Sequence, residues 1–267
     1  MQALQSALAI AALTAAIACD ALRTAAPPRV LVDLSHPFDE STIYWPTEEG
    51  FVLERGFSGY TEQGYYYAAN RFRAAEHGGT HIDAPLHFAE GHPSVDAIPL
   101  DRLVGAAARV DVSAACAADR DHAVSVADLE ADERAQGRIP DGAIVLLRTG
   151  WGERWPDRTS YLGTAERGAA GVAALHFPGL GADAARWLVE QRHIHAVGVD
   201  TASIDPGVST RFETHQLLFA NDVPALENLA NLRELPPRGF EVAALPMKIR
   251  GGSGAPLRAI AILEPAR

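Results

Sequence analysis

Residues 77–88 read His77-Gly78-Gly79-Thr80-His81-Ile82-Asp83-Ala84-Pro85-Leu86-His87-Phe88. A helix through this stretch would carry two adjacent glycines and a proline, each costly in a helix interior. The chain must therefore display the segment's imidazoles and carboxylate on turns and extended backbone: a strand, a tight glycine turn, then a second extended stretch. In that second stretch His81, Asp83 and His87 share parity, which predicts that their side chains point to one face. Pro85 cannot donate to a central ladder, so the stretch is expected at an edge or a site opening. Four of the ten histidines fall within residues 77–92, where even scattering would place fewer than one. Imidazole nitrogen and carboxylate oxygen suit Zn²⁺ and its neighbours, so the segment is a candidate metal centre. The plain alternative is a set of surface or core histidines joined by a turn.

The rest of the chain narrows the class. With 23 Lys+Arg against 34 Asp+Glu the formal charge is −11, and such an acidic chain lacks the clustered cations that a phosphate backbone demands. Nucleic acid is excluded as a partner. The body holds no run of about 18 apolar residues, so no integral membrane span is expected. From Arg29 onward there is no linker, repeat or low-complexity segment, which predicts a single domain over 29–267. Apolar runs rich in Val, Ile and Tyr predict strands at 29–34, 64–73, 107–112, 143–148, 194–199 and 257–263. Helical patterning falls at 182–192 and 125–136, the latter opened by Ser125 and Asp128 and stopped by Gly137. Strands outnumber helices at irregular spacing, which reads as α/β or α+β with a mixed sheet.

Residues 1–18 carry no charged side chain and end Ala16-Ile17-Ala18, followed by Cys19. This predicts a secretory signal, in its lipoprotein form with Cys19 acylated, and a spacer over 19–28. The mature chain would then be periplasmic or secreted, with a lipid anchor if Cys19 is acylated. An ordinary apolar helix on a cytoplasmic chain is the alternative, favoured by the missing Lys or Arg before the apolar run and by Ala rather than Leu at 16. Cys116 reads as a small buried hydrophobe.

A second cluster, Glu213-Thr214-His215-Gln216 with Glu227 twelve residues after His215, is unremarkable alone, since Glu and His are common on amphipathic helices. It matters because three ligands in the first cluster want more from elsewhere. Gly179-Leu180-Gly181 follows Phe177-Pro178 rather than an apolar strand, so it reads as a loop entering a helix and not a dinucleotide site. Gly252-Ser253-Gly254 lacks the spacing of a serine-hydrolase elbow. Tyr65–Tyr67 read as core aromatics, while Trp45 is balanced between core and pocket wall.

The segment HGGTHIDAPLHF resembles the signature of the metal-dependent cyclase superfamily, which includes bacterial kynurenine formamidases and isatin hydrolases. Asp33-Leu-Ser-His-Pro37, Trp45-Pro46, Gly198–Asp205, Glu213-Thr-His215, Glu227 and Pro246-Met-Lys-Ile also sit where that family has similar segments, so the resemblance covers about residues 29–264. It implies a swivelling β/β/α fold with a mixed, barrel-like sheet flanked by helices, and a homodimer or homotetramer. It implies one divalent metal, Zn²⁺ or Mn²⁺, on His77, His81 and Asp83, and a second on Asp83, His215 and Glu227. It implies His87 as catalytic acid/base and a place for Trp45 near a small-molecule substrate. The activity implied is hydrolysis of a small amide, N-formylkynurenine first, with a cyclic amide such as isatin, or a lactone, as the alternative. A non-catalytic secreted metal-binding protein is the reading from another class, but it would have no use for a histidine at 87 outside the ligand set.

Overall fold

The computed structural model describes residues 29–263; the expected signal at 1–18, Cys19 and the spacer lie outside the described residues. Seven strands close on themselves. Their order is β4 (His81–Asp83), β12 (Gly254–Leu263), β11 (Phe240–Pro246), β5 (Val104–Asp111), β7 (Ile144–Arg148), β9 (Ala196–Val199) and β10 (Ala225–Glu227), and β10 returns to β4. Strand β1 (Val30–Asp33) adds outside the ring, on β12. β5, β7, β9 and β10 run parallel, whereas β10–β4, β4–β12, β12–β11 and β11–β5 are antiparallel. This is the mixed, barrel-like α/β sheet expected.

The inner strand β7 shows why the ring closes. Its Ile144-Val145-Leu146-Leu147 run is wholly buried, as an inner parallel strand covered on both faces must be. Ile144 and Leu146 join Ile82, Leu226, Val242, Ala255 and Ala259 from the other strands of the ring in one cluster, the barrel interior. Its many alanines suit the narrow lumen of seven strands. Val145 and Leu147 face outward onto a second cluster. That cluster is completed by α2 (Val126–Gln136), α5 (Ala182–Arg192) and α6 (Glu213–Phe219), through Leu129, Leu188 and Phe219 among others. The short helices α1 (Ser113–Ala118), α3 (Arg158–Leu162) and α4 (Gly168–Ala173) lie in the connections.

Helix α2 starts at the expected capping box: Ser125 Oγ accepts from the Asp128 amide and the Asp128 carboxylate accepts from the Ser125 amide. α5 follows β8 (Gly179–Leu180), a two-residue strand paired with β6 (Ala123–Val124), so no dinucleotide-type strand leads into it. Cys116 is buried in α1, and burial pushes its thiol up to about 12, which makes it the inert hydrophobe expected. No helix of the described residues is long and apolar enough to cross a membrane.

Two expectations need correction. Tyr65–Tyr67 are not core: they sit at and beyond the turn of an exposed hairpin, β2 (Val52–Tyr60) with β3 (Tyr66–Arg73), where Tyr66 is 58% exposed. β2 itself, VLERGFSGY, was not anticipated, because charges and glycines interrupt its apolar run and neither face is buried. The second extended stretch of the histidine segment also stops early. Only His81–Asp83 is strand; Pro85–His87 forms a 3-10 turn, as Pro at the first helical position favours. His87 therefore reaches the site by a turn and not by strand parity.

Candidate metal centre

Strand β4 lies between β10 and β12, with Glu227 directly opposite His81 and Gly254 opposite Asp83. Alternation sends Ile82 and Leu226 into the barrel interior and leaves His81, Asp83 and Glu227 together on the outer face. All three are nearly inaccessible. Helix α6 adds His215 from the side, and the 3-10 turn adds His87, whose ring stacks on His77 at 3.9 Å between centroids.

Each of the three inner imidazoles has a hydrogen-bond acceptor behind it, on the side away from Asp83 and Glu227. His81 Nδ1 lies 2.9 Å from the Gly79 carbonyl, which only accepts, so Nδ1 carries the hydrogen. His215 Nδ1 lies 2.6 Å from Asp205 Oδ2 and is protonated for the same reason. His77 Nε2 lies 2.8 Å from Ser253 Oγ, whose own hydrogen goes to Glu76 Oε2. In each neutral ring the lone pair then belongs to the other nitrogen. Those nitrogens converge on two carboxylates. His77 Nδ1 is 2.7 Å from Asp83 Oδ1, His81 Nε2 is 3.1 Å from the same oxygen, and His215 Nε2 is 3.3 Å from Asp83 Oδ2 and 3.3 Å from Glu227 Oε1.

Lone pairs aimed at anionic oxygens, with no donor between, are what a divalent cation resolves. His81 Nε2 is buried without a hydrogen-bond partner, an orphaned polar atom that suits a metal ligand. The charges agree. Burial alone would lower the His81 pKa, yet Asp83 and Glu227 lift it to about 9. Burial and the neighbouring Asp83 raise Glu227, while His77 and His81 overcome burial to hold Asp83 well below the usual carboxylate range. The cluster calls for positive charge, and the donor set of imidazoles and carboxylates fits Zn²⁺ or Mn²⁺.

Two groups of donor atoms are close enough to share an ion: His77, Asp83 and His87, and His81, Asp83 and Glu227. Asp83 is common to both. The partition differs from the implied one, since His81 leans toward Glu227 and the turn brings His87 beside His77. Burial pushes His87 down to about 4, against the pull of Asp83.

A cavity of about 370 Å³ opens over these residues. Trp45, Phe88 and Phe212 form aromatic walls, with Trp45 and Phe212 6.2 Å apart and Phe88 and Phe212 5.4 Å apart. Trp45 is thus both: its ring packs edge-on against buried Phe177 and also lines the cavity.

Residues 32–206 match the Cyclase family. The chain belongs to that family. It is 32% identical over 217 residues, 78% of this chain and 80% of the relative, to the isatin hydrolase of Roseibium aggregatum. It is 31% identical over 234 residues, 86% of this chain and 96% of the relative, to the kynurenine formamidase of Salinibacter ruber. Among solved structures, isatin hydrolase A from Ralstonia solanacearum superposes with a TM-score of 0.79 at 35% identity, covering 96% of this chain and 97% of that one. A potential metal-dependent hydrolase with cyclase activity superposes with a TM-score of 0.64 at 25% identity, covering 90% and 100%. The relatives of this family member are hydrolases.

Sequence reasoning passed over Asp205, Glu76, Ser253, Phe88 and Phe212. Asp205 closes the Gly198–Asp205 segment that supported the resemblance, and Ser253 lies in the glycine-flanked triplet set aside as a failed nucleophile motif; neither residue carries a local signal of its partner.

Proposed function

We propose that this protein is a metal-dependent hydrolase that cleaves the amide C–N bond of a small aromatic substrate. The observation that carries the reading is the convergence of three outward-protonated imidazoles and two buried carboxylates beneath an aromatic-walled cavity. His77, His81, Asp83, His215 and Glu227 would hold the metal, with Asp83 serving both ions if two are bound. A bound Zn²⁺ or Mn²⁺ supplies Lewis acidity, polarising a carbonyl and lowering the pKa of water from about 15.7 to roughly 7. Asp205, the Gly79 carbonyl and Ser253 keep the ligand nitrogens free of protons. His87, held neutral by burial, takes a proton from water as oxygen adds to the carbonyl carbon. The same ring returns that proton to the nitrogen as the C–N bond breaks, so water's hydroxyl ends on carbon and its hydrogen on nitrogen. Trp45, Phe88 and Phe212 flank an aryl ring and keep bulk water away from the exchange.

Two substrates belong to this class. Ring opening of a cyclic amide such as isatin is supported by the breadth of the match to isatin hydrolase A, which spans 96% of this chain. Hydrolysis of N-formylkynurenine is supported by the 31% identity to a kynurenine formamidase. Assay of isatin, N-formylkynurenine and simple lactones, before and after chelation and with Mn²⁺ or Zn²⁺ restored, separates them. Turnover of one amide that disappears on chelation and returns with metal is expected. Full activity in protein shown by elemental analysis to be metal-free would overturn the reading.

A further inference from the structure

The triplet Gly252-Ser253-Gly254 is shaped around the metal centre. It enters strand β12 beside β4, with the Ser253 carbonyl accepting from the Ala84 amide at 2.8 Å. Ser253 makes three further polar contacts. Its amide and its hydroxyl both donate to Glu76 Oε2, at 3.0 and 2.7 Å, and its Oγ lies 2.8 Å from His77 Nε2. Both flanking glycines are close approaches. A Cβ on Gly254 would stand 2.5 Å from His77 Cε1 and 2.6 Å from the Ile82 carbonyl, and one on Gly252 would stand 2.8 Å from Glu76 Oε1. The backbone is pared down on one side for the His77 ring and on the other for the Glu76 carboxylate, with the serine between them.

We propose that Ser253 and Glu76 are a positioning pair that fixes His77 with its proton on Nε2, so that Nδ1 is the nitrogen this ring offers a divalent ion. The direction of each bond follows from what each atom can do. A carboxylate only accepts, so the Ser253 hydroxyl must donate to Glu76. That leaves lone pairs on Oγ toward His77, so Nε2 must be the donor. Ser253 thus biases both the rotation and the tautomer of His77, whose Nδ1 lies 2.7 Å from Asp83 Oδ1 and whose ring has Gly254 close on one side and His87 stacked on its face. Removing the serine lifts that bias, and partners of this kind are typically worth about 10–100-fold in metal affinity.

This inference rests on the metal-centre reading above, and titrating the metal-free full chain with Mn²⁺ alone tests the two separately. Following the wild type, Ser253→Ala, Ser253→Thr, Glu76→Ala and His77→Ala by calorimetry and by the Mn²⁺ spin-resonance signal requires no substrate. His77→Ala marks the binding step to which His77 belongs. Ser253→Ala and Glu76→Ala are expected to weaken that step by about 10–100-fold, while Ser253→Thr, which keeps the hydroxyl, restores it to within a few-fold of wild type. Glu76→Ala carries the test if Ser253→Ala does not fold. Wild-type affinity in Ser253→Ala, or a Ser253→Thr no better than the alanine variant, overturns the pair and leaves the metal centre standing. A wild-type chain that does not bind Mn²⁺, and does not bind Zn²⁺ in a parallel calorimetric titration, overturns the metal centre itself.

Discussion

Asp83 and Glu227, on adjacent antiparallel strands, each place a carboxylate oxygen 3.3 Å from the same nitrogen, Nε2 of His215. Neither side chain reaches solvent to any useful extent. Two carboxylates in one dry site repel unless positive charge lies between them, and a second nitrogen at that spot, His81 Nε2, lies 3.1 Å from Asp83 and 3.6 Å from Glu227.

Asp83 belongs to both candidate donor groups, so its loss should cost more metal than the loss of any other ligand. Asp83→Asn, nearly isosteric, is expected to leave the purified protein with little or no divalent metal. Lewis-acid stabilisation is worth several kcal/mol, so kcat/KM should fall by about 10³-fold or more. His77→Ala should reduce metal content only in part. Elemental analysis of both variants beside the wild type checks this, and equal metal loss in the two would contradict the sharing of Asp83.

His87 stacks on His77 and falls within one donor group, so its role is separable by experiment. As a proton carrier, His87→Ala should keep the wild-type metal content and lose about 10²–10⁴-fold in kcat. Loss of metal in proportion to activity would instead make it a ligand.

Gly78 lies against the ring of Tyr44, and the two residues form an isolated bridge. A Cβ at 78 would meet the Tyr44 ring at 2.1 Å, and Tyr44 is fully buried. Gly78→Ala is expected to destabilise the fold by about 1–3 kcal/mol through overpacking, measured as a lower urea midpoint with an unchanged slope. An unchanged midpoint would show that the Tyr44 ring gives way freely.

His36 stacks on Trp155 at 4.3 Å, and its Nε2 is buried without a partner. Burial lowers its pKa from 6.5 to about 4, with Asp33 pulling weakly the other way. The folded state therefore binds this proton less readily than the unfolded chain. The stability contribution of neutral His36 is fully present above pH 6.5 and is lost as pH falls from 6.5 toward 4. His36→Gln should flatten the acid side of the stability profile, by on the order of 2 kcal/mol across that interval. Parallel profiles for the two proteins in urea titrations from pH 7.5 to 4 would rule the shift out. The charged groups sharing its cavity (Arg148, Glu153, Asp200 and Arg233) are common to both proteins and cancel in the comparison.

Which parts of the site were legible followed from distance along the chain. His77, His81, Asp83 and His87 lie within eleven residues, so their shared chemistry stood in the sequence before any fold was known. His215 and Glu227 became meaningful only through resemblance to a family, because nothing local separates them from ordinary helix and strand residues. Glu76 could not be joined to Ser253, 177 residues away, and Asp205 could not be joined to His215, since side-chain hydrogen bonds leave no periodic trace. Strand β7 was legible because a run buried on both faces is apolar throughout. β2 was not, because an exposed hairpin obeys no burial pattern.

By itself, then, the sequence determined the cluster of His77, His81, Asp83 and His87, the non-helical backbone that displays it, strands β5, β7, β9 and β12 of the ring, and helices α2 and α5, but not β10 or β11. These depend on residue type and on neighbours close in the chain, where sterics and periodicity act. Tertiary structure alone decided which nitrogen of each imidazole faces inward, that His87 arrives on a 3-10 turn, and that Asp83 stands between two donor groups. Those outcomes depend on acceptors brought in from Ser253 just before β12, from Asp205 in the loop before α6 and from the Gly79 carbonyl in the turn before β4, and the protonation of a ring is set by whatever acceptor the fold places behind it.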